Sequence, residues 1–407
     1  MTNITQERAA LLEKCADLAH TSNIPDALEA EIRKQGFAGS ADIPKLVYLA
    51  LFTGMLQRPV SLLIKGPSGA GKSFSLRMGK QFIPESAYVE YEGMTEKALV
   101  YLEGLNLKHR HLVIGEAAGL ADGEGRSLLR QLLSEDIVRY VTVQSTSQGN
   151  KGTELPPLEG PCGLIMTTTA TGIHPEDESR MISVNIQDSP EQIAEALISQ
   201  ALGSSKKEEP LNTEPWFALY DYVNSGPSEV VVPYALAMAK KLPKTHDRIK
   251  RDFPQILSLI SASALMHQCR RDLDDQSRVI ANVDDYALVR SLVNEPISQG
   301  IAVAVPEGIR SVVDATEELL KVRTAENNLG VSQTQVAVHL DRDQSVVSRN
   351  VQKAIDEGYL HNNNPGQGRE ARLELGEREL PSGAVLPEPD ELLAEAAPKP
   401  KPWFIPF

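Results

Sequence analysis

The sequence has few cysteines, few aromatic residues and no long apolar run near its start. Its 407 residues include 3 Cys and 2 Trp, and aromatic residues make up 5% of the chain. Three widely separated cysteines can build neither a disulfide framework nor a zinc site with paired ligands, so we expect reduced thiols. The apolar stretch Leu46–Phe52 is far shorter than the roughly 20 residues that a membrane helix needs.

An excess of positive charge is also absent. Lys and Arg number 41 against 55 Asp and Glu, and the formal net charge is −14. This balance excludes a polycationic coat for nucleic acid, although it permits basic groups concentrated in one place. Charges are scattered through residues 1–20 and leave no apolar signal segment, so the sequence predicts a cytoplasmic protein with no membrane span.

The pattern of apolar residues predicts five successive regions. Between residues 44 and 202, short apolar runs with the length of buried strands alternate with amphipathic helices, which is typical of an α/β fold with a mostly parallel sheet. Pro-rich composition predicts a flexible tail at the end. The regions are an N-terminal helical segment (1–43), an α/β core (44–202), a helical region (203–305), a linker helix with a small module (306–378) and the tail (379–407).

A glycine-rich motif follows the first predicted strand. Residues 66–73 match GxxxxGK[ST] and read Gly66, Pro67, Ser68, Gly69, Ala70, Gly71, Lys72 and Ser73. Because a helix is predicted directly after it, backbone N–H groups and the helix N-terminus can hold a phosphate together. Lys72 is expected to reach the β- and γ-phosphates of ATP, and the Ser73 hydroxyl to bind Mg²⁺. A glycine-rich turn without a ligand is the alternative.

Two further strand ends carry groups suited to phosphate chemistry. The buried run Leu112–Glu116 ends in a carboxylate that can serve the metal, the attacking water or both. A second run ends in hydroxyls, of which Thr168 or Thr169 is expected beside the γ-phosphate, because ligands bind at the carboxyl ends of strands in such sheets. The alternatives are an exposed strand-end carboxylate and threonines that reflect β-propensity alone.

Arg180 stands just before the last predicted strand of the core and directly after a group of three acids at 176–178. From the edge of the domain it could reach the nucleotide of a neighbouring subunit and stabilise charge in the transition state. A surface arginine paired with those three acids is the alternative.

These motifs resemble those of the AAA+ ATPases over about residues 44–300. The resemblance implies a three-layer core with a five-stranded sheet, a helical lid, ATP and Mg²⁺ as ligands, and a ring or helical oligomer, commonly a hexamer. Thr168 takes the place of sensor 1 and Arg180 that of the arginine finger. In this family the second strand motif usually ends in Asp-Glu, whereas this chain has Gly115 before Glu116.

The lid stretch 251–257 with Ala262, Ala264 and His267 is similar to the sensor-2 helix of the minichromosome-maintenance branch. The similarity implies that Arg251, or alternatively Arg248, touches the γ-phosphate.

Two extended runs with a polar turn between them predict a β-hairpin over residues 137–159. In helicases of the minichromosome-maintenance and superfamily 3 type, a hairpin just before sensor 1 projects a basic tip into the ring channel. Lys151 is similar to that residue, which implies contact with the phosphates of single-stranded DNA. A plain surface hairpin is the alternative.

The module at 325–375 reads as helix, turn, helix and hairpin, and resembles a winged helix. That resemblance implies contact with duplex DNA through Gln344, Ser345, Ser348, Arg349 and Gln352 of the second helix and Arg369 of the wing. From residue 331 to 375, however, five basic residues (Arg342, Arg349, Lys353, Arg369, Arg372) stand against six acidic ones (Asp341, Asp343, Asp356, Glu357, Glu370, Glu374). Protein contact is therefore the alternative.

The apolar tip Trp403–Phe407 resembles the C-terminal tip of bacterial single-strand-binding proteins, which implies docking to a replication protein; folding back onto its own ring is the alternative. The whole arrangement predicts an ATP-driven DNA motor, most concretely a ring helicase of a mobile element or phage that moves along single-stranded DNA. The alternative is a helicase loader or nucleotide-switched regulatory ATPase that assembles complexes without unwinding.

Overall fold

The computed structural model divides the chain into two compact units. The described residues are 2–95, 98–102, 104–116, 124–135, 137–146, 149–169, 175–186, 189–203, 211–244, 247–303, 305–322, 330–366, 369–380 and 385–393. The first unit is built from described residues within Met1–Lys241, Lys250–Pro296 and Leu386–Phe407. The second is built from those within Leu242–Ile249 and Ile297–Val385. The predicted N-terminal segment, α/β core and most of the predicted helical region thus share one unit.

The described residues form helices and strands in the alternation that the core sequence predicts. The helices are α1 (Thr2–Ala19), α2 (Ile24–Lys34), α3 (Asp42–Phe52), α4 (Lys72–Lys80), α5 (Ala98–Tyr101), α6 (Glu124–Ser134), α7 (Pro175–Glu178), α8 (Pro190–Gly203), α9 (Glu214–Asn224), α10 (Ala235–Lys241), α11 (Ile249–Met266), α12 (Val283–Val303), α13 (Glu307–Lys321), α14 (Gln333–His339) and α15 (Gln344–Asp356). The strands are β1 (Leu62–Lys65), β2 (Tyr88–Tyr91), β3 (Arg110–Ile114), β4 (Ile137–Val138), β5 (Val141–Thr146), β6 (Gly149–Glu154), β7 (Leu158–Glu159), β8 (Cys162–Thr168), β9 (Ile182–Asn185), β10 (Val230–Val231), β11 (Val279–Ile280), β12 (Leu360–Asn362) and β13 (Leu373–Leu375).

A five-stranded, all-parallel sheet forms the centre of the first unit, with strand order β2-β3-β8-β1-β9. Strands β1, β3 and β8 are nearly continuous apolar runs and are almost entirely buried, as strands covered on both faces must be. The predicted α/β class with a parallel sheet is confirmed. The chain leaves β1 for the β2 edge but leaves β8 for β9 on the other side, so a crevice opens between the carboxyl ends of β1 and β8.

The predicted hairpin over residues 137–159 is confirmed by two antiparallel ladders, β4 with β7 and β5 with β6. In the second ladder Val141 lies opposite Glu154, and Gln144 lies opposite Lys151. Val141 and Val143 are each 67% exposed. These two exposed valines show that this part of β5 contributes little to the core.

The N-terminal helices pack against the helical part of the same unit. The Arg8 guanidinium of α1 lies over the Tyr222 ring of α9, 4.5 Å from its centroid, and donates to Oε1 of the Gln268 side chain at 2.9 Å. The Ile24 N–H donates to Nε2 of His267 at 3.1 Å. Residues 1–43 are thus part of a shared core.

A buried ionic network joins α11 and α12. Asp285 is fully buried and accepts both guanidinium hydrogen bonds of Arg271 at 2.8 Å and the Ser263 hydroxyl at 2.7 Å. His267 Nδ1 lies 2.8 Å from the Ser263 carbonyl oxygen, to which it donates because Nε2 accepts from Ile24. Burial lowers the pKa of His267, in keeping with this neutral arrangement.

Residues 386–393 pack against α12, although the sequence predicts that the whole stretch 379–407 is a flexible tail. Leu386 and Leu392 are buried, and the Tyr286 hydroxyl donates to the Pro387 carbonyl oxygen at 2.6 Å. The main chain of this segment also bonds to α12, since the Leu386 N–H donates to the Asn294 side-chain oxygen at 3.0 Å and the Leu386 carbonyl oxygen accepts from Arg290 at 3.3 Å. The predicted docking tip, Trp403–Phe407, lies outside the described residues.

The second unit contains the predicted helix-turn-helix and hairpin. Helices α13, α14 and α15 surround a core with β12 and β13, which pair antiparallel. The start of α14 is fixed by a capping box, in which the Gln335 N–H donates to the Ser332 hydroxyl while the Ser332 N–H donates to the Gln335 side chain. In both units, no helix among the described residues is long and apolar enough to cross a membrane.

Candidate functional site

The glycine-rich loop joins β1 to α4 at the crevice of the sheet. Gly69 and Gly71 have φ angles of +85° and +78°, a backbone conformation that favours glycine. Gly71 is the N-cap of α4, and its carbonyl oxygen accepts from the Ser75 N–H at 2.8 Å. The loop therefore turns sharply into a helix whose positive dipole end faces it, which is the arrangement that binds phosphates.

Lys72, the first residue of α4, folds back over this loop. Its side chain is buried, and Nζ donates to the carbonyl oxygens of Gly66 at 2.9 Å and Pro67 at 2.8 Å. Among the described residues no acid pairs with this ammonium group, and its two carbonyl partners do not neutralise its charge. The loop thus holds a positive charge where an anion can bind.

The carboxyl ends of β1, β8 and β3 form a continuous line beside the loop. Thr168 lies opposite Lys65 in register, and its carbonyl oxygen accepts from the Gly66 N–H at 3.3 Å. The Thr167 hydroxyl donates to the Gly115 carbonyl oxygen. Sequence reasoning, which favours Thr168 or Thr169, misses this link. Thr168 is buried and Thr169 is exposed.

Gly115, which stands where the family pattern described above usually has Asp, lies against Glu92, the residue that follows β2. The Glu116 N–H donates to the Glu92 carbonyl oxygen at 2.9 Å, so the two strand ends stay hydrogen-bonded beyond the sheet. A Cβ atom at position 115 would lie 2.8 Å from Oε2 of Glu92. The Glu92 side chain therefore lies where a side chain at position 115 would begin.

Two contacts bring residues of the 175–180 segment to the same edge. Glu178 pairs at 2.6 Å with Lys65, the last residue of β1, and both side chains are 14% exposed. Arg251 of α11 donates to the Ser179 hydroxyl. Arg251 is thus held next to Ser179, whose neighbour Glu178 pairs with the last residue of β1. Arg248, in contrast, belongs to the second unit and lies beside Gly300.

Arg180 donates to the Ser134 hydroxyl at the end of α6. Two of the three acids that could pair with Arg180 instead form ion pairs with Arg130, which lies 2.7 Å from Glu176 and also contacts Asp177. Arg180 is therefore half-buried beside α6, at the end of an acidic segment in which Arg130 is the partner of Glu176 and Asp177.

The candidate DNA-contacting residues lie in two separate places. Lys151 is exposed on β6 of the hairpin, two residue pairs from the last described pair, Thr146 with Gly149. In the second unit, a groove of about 600 Å³ is lined by Gln344 and Gln352 of α15, together with Arg369. Ser348 and Arg349 lie on the same helix and are half-buried and exposed, respectively.

The donor groups at the sheet edge fit Mg²⁺. The Ser73 hydroxyl and the Glu116 carboxylate are both exposed oxygen ligands, which is the ligand type that this hard cation prefers. No group of three or more His, Cys, Asp or Glu side chains in the described part of the chain could hold a metal ion alone. Mg²⁺ does not need such a group, because it is usually bound through one or two carboxylates, substrate phosphates and water.

Comparison with known proteins assigns no family to this sequence. No protein-family model matches the sequence, and no curated protein matches it either. The structure brings the glycine-rich loop, Gly115–Glu116, Thr167–Thr168 and Arg251 to one edge of the sheet, within the first unit.

Proposed function

We propose that the chain is an ATP-hydrolysing, oligomeric DNA motor of the AAA+ type, most concretely a ring helicase of a mobile element or phage. One observation carries the proposal. A buried lysine is held by carbonyl groups within a glycine-rich loop, at the crevice of a parallel sheet, with a strand-end carboxylate on the same edge. Positioning and neutralising phosphates is most of what catalysis of phosphoryl transfer requires.

Each residue of the edge has a role in this reaction. The loop N–H groups and the α4 N-terminus bind the β- and γ-phosphates, and Lys72 neutralises their charge. Glu116 orients the water that attacks the γ-phosphorus, and the bond to the bridging oxygen breaks to give ADP and phosphate. Thr168 lies beside this water, while Arg251 binds the γ-phosphate. Mg²⁺, when bound through Ser73, further neutralises the phosphate oxygens.

The subunit interface and the DNA contacts complete the proposal. Arg180 acts on the nucleotide of a neighbouring subunit of the ring. Lys151, repeated once per subunit on the exposed hairpin, follows the phosphates of single-stranded DNA in the channel. The helix-turn-helix and hairpin of the second unit support a winged helix, with α15 facing duplex DNA.

A helicase loader is the second candidate, and the local charge favours it. The hairpin residues 137–159 contain two basic residues, Arg139 and Lys151, and two acidic ones, Glu154 and Glu159. Residues 331–375 contain more acids than bases, as counted above. Both surfaces are therefore weakly suited to DNA and could instead serve a protein partner.

The ATPase site is tested by Lys72→Ala. We expect ATP turnover, measured by phosphate release, to fall at least about 100-fold, because removing one charge-stabilising donor typically costs that much. Lys80→Ala is the matched control, since it removes a lysine from the other end of α4, where Lys80 pairs with Glu90. Wild-type turnover in Lys72→Ala would refute the assignment of the loop.

The motor function is tested by Lys151→Ala. The variant is expected to bind ATP normally but to lose strand displacement and DNA-stimulated hydrolysis. Lys108→Ala, which removes an exposed lysine paired with Glu159 at 3.2 Å, is the control. Unchanged unwinding in Lys151→Ala would contradict the helicase function. A wild-type protein that unwinds no forked substrate, yet binds a protein partner in an ATP-dependent way, would support the loader.

A further inference from the structure

We propose that Glu92 supplies the metal-associated carboxylate that the strand of Glu116 lacks at Gly115. Glu92 then holds the metal ion of the nucleotide site, and Glu116 is left to orient the attacking water. The inference rests on the proposed ATPase function and deepens it, because it assigns one role to each of two carboxylates.

The position of Glu92 in the sheet is the first step. Strand β2 is the edge strand, three strand spacings from β1, which is about 14 Å at the usual separation of neighbouring strands. From that distance a side chain on β2 would not reach a metal ion at the loop. The Glu92 side chain leans inward against the end of β3, however, and its Oε2 lies 2.8 Å from the place of a Cβ atom at residue 115. Its carboxylate is thus presented from β3, one strand closer to the loop.

The absence of a side chain at Gly115 is the second step. A Cβ atom there would also lie 3.3 Å from the Glu92 carbonyl oxygen, so the backbone of β2 approaches closely. The small residue and the leaning acid therefore occupy one space between them. This explains why a carboxylate can be present at this point of the edge although position 115 itself contributes none.

The availability of the Glu92 carboxylate is the third step. Nearby acids are neutralised, since Glu90 pairs with Lys80 and Glu178 pairs with Lys65. Among the described residues, no hydrogen bond or ion pair engages the Glu92 side chain, which is exposed. The Glu116 N–H donates to the Glu92 carbonyl oxygen at 2.9 Å, so the two acids belong to hydrogen-bonded strand ends. One or two carboxylates with phosphate oxygens are the usual protein environment of Mg²⁺.

The test measures metal binding without turnover. Mn²⁺ serves as the probe, and its affinity for the ADP-bound full-length protein is measured by electron paramagnetic resonance. Glu92→Gln is expected to weaken Mn²⁺ binding about 10-fold or more, the usual effect of losing a group that supports a metal site. ADP binding in the presence of a chelator should not change. Glu90→Gln, two residues earlier, is the matched control and should bind Mn²⁺ as the wild type does.

A second experiment moves the carboxylate to the neighbouring strand. Glu92→Ala alone should lose Mn²⁺ affinity as Glu92→Gln does. Combining it with Gly115→Asp should restore most of the affinity, because removal of the Glu92 side chain takes away the 2.8 Å contact and leaves backbone contacts of 3.3 and 3.4 Å around the new Cβ atom. Circular dichroism verifies that each variant is folded.

The outcomes separate this inference from the proposed function. If the wild type binds ADP and Mn²⁺ but Glu92→Gln binds Mn²⁺ equally well, the role of Glu92 is refuted and the ATPase site stands. If the folded wild type binds neither ADP nor Mn²⁺ with ADP, the proposed function fails and the inference fails with it.

Discussion

The sheet edge of the first unit and the helix-turn-helix module of the second are assembled from the chain in opposite ways. The edge gathers the loop at 66–73, Glu92, Gly115–Glu116, Thr167–Thr168 and Arg251 through strand order and long-range hydrogen bonds. The module uses consecutive elements of one stretch, 331–375, each in contact with its neighbours. The edge can therefore be damaged from many points of the sequence, whereas the module depends on its own residues.

The largest effect is expected at Arg180, which lies apart from the loop in the sequence and is proposed to act across subunits. Arg180→Ala should slow ATP turnover about 1000-fold, since an arginine supplied to a neighbouring site is worth at least that much. Mixing this variant with Lys72→Ala should partly restore phosphate release, because some interfaces then combine an intact Lys72 with an intact Arg180.

The control for this experiment is Arg33→Ala, which removes an arginine from α2, where it pairs with Glu29 at 3.1 Å. It should retain wild-type turnover. Failure of the mixture to recover activity at any ratio would show that Arg180 does not complete a neighbour's site.

Acid should unfold the first unit before the second. Burial lowers the pKa of His111 from 6.5 to about 4 and also lowers that of His267. The unfolded state binds protons on these residues at pH values where the folded state does not, so stability falls as pH falls from about 6.5 towards 4. The pKa difference of His111 alone lowers the free energy of unfolding by about 3 kcal/mol at the lower end of this window. His339 and His361 of the second unit lie in exposed positions.

Trp216, buried in the first unit, allows the two units to be followed separately. In a Trp403→Phe background, its fluorescence should report loss of the first unit at a pH where far-ultraviolet circular dichroism still shows helix from the second. His111→Gln should flatten the pH dependence of the urea midpoint. Coincident transitions, with no pH dependence between 6.5 and 4, would contradict the role of the buried histidines.

The module could be predicted closely from the sequence because its boundaries are local signals. A second helix over 344–357 is predicted, and the structure has Gln344–Asp356, followed by Gly358 with a φ angle of +83°. The glycine-rich loop could be placed for the same reason, since a strand, a glycine-rich motif and a helix follow one another directly.

The contacts between distant parts of the edge could not be predicted. Whether Glu92 approaches Gly115, or Arg251 approaches Ser179, depends on which strands are neighbours and on how α11 packs, and the sequence pattern specifies neither. The packing of residues 386–393 could not be predicted for a related reason. Their Pro and acidic composition is that of a tail, and the burial of Leu386 and Leu392 follows only from the presence of α12.

Leu392 provides a test of this last long-range contact. Leu392 is 0% exposed and its neighbour Leu393 is 51% exposed. Leu392→Ala should lower the free energy of unfolding of the first unit by about 2 to 3 kcal/mol, because it leaves a cavity at a buried site. Leu393→Ala should change it by less than about 0.5 kcal/mol. Urea denaturation followed by Trp216 fluorescence measures both, and equal effects would show that the segment does not pack as described.

The smallest effect is expected at Arg349, which tests whether the locally built module binds DNA. If α15 enters the major groove, Arg349→Ala should weaken binding of a duplex about 10-fold, the usual cost of one base contact. Lys321→Ala is the control, because it removes a charge from α13, where Lys321 pairs with Glu317 at 2.6 Å. Fluorescence anisotropy with a labelled duplex measures both. Equal affinities of the two variants would place α15 outside the groove, and the acidic balance of the module would then favour a protein partner.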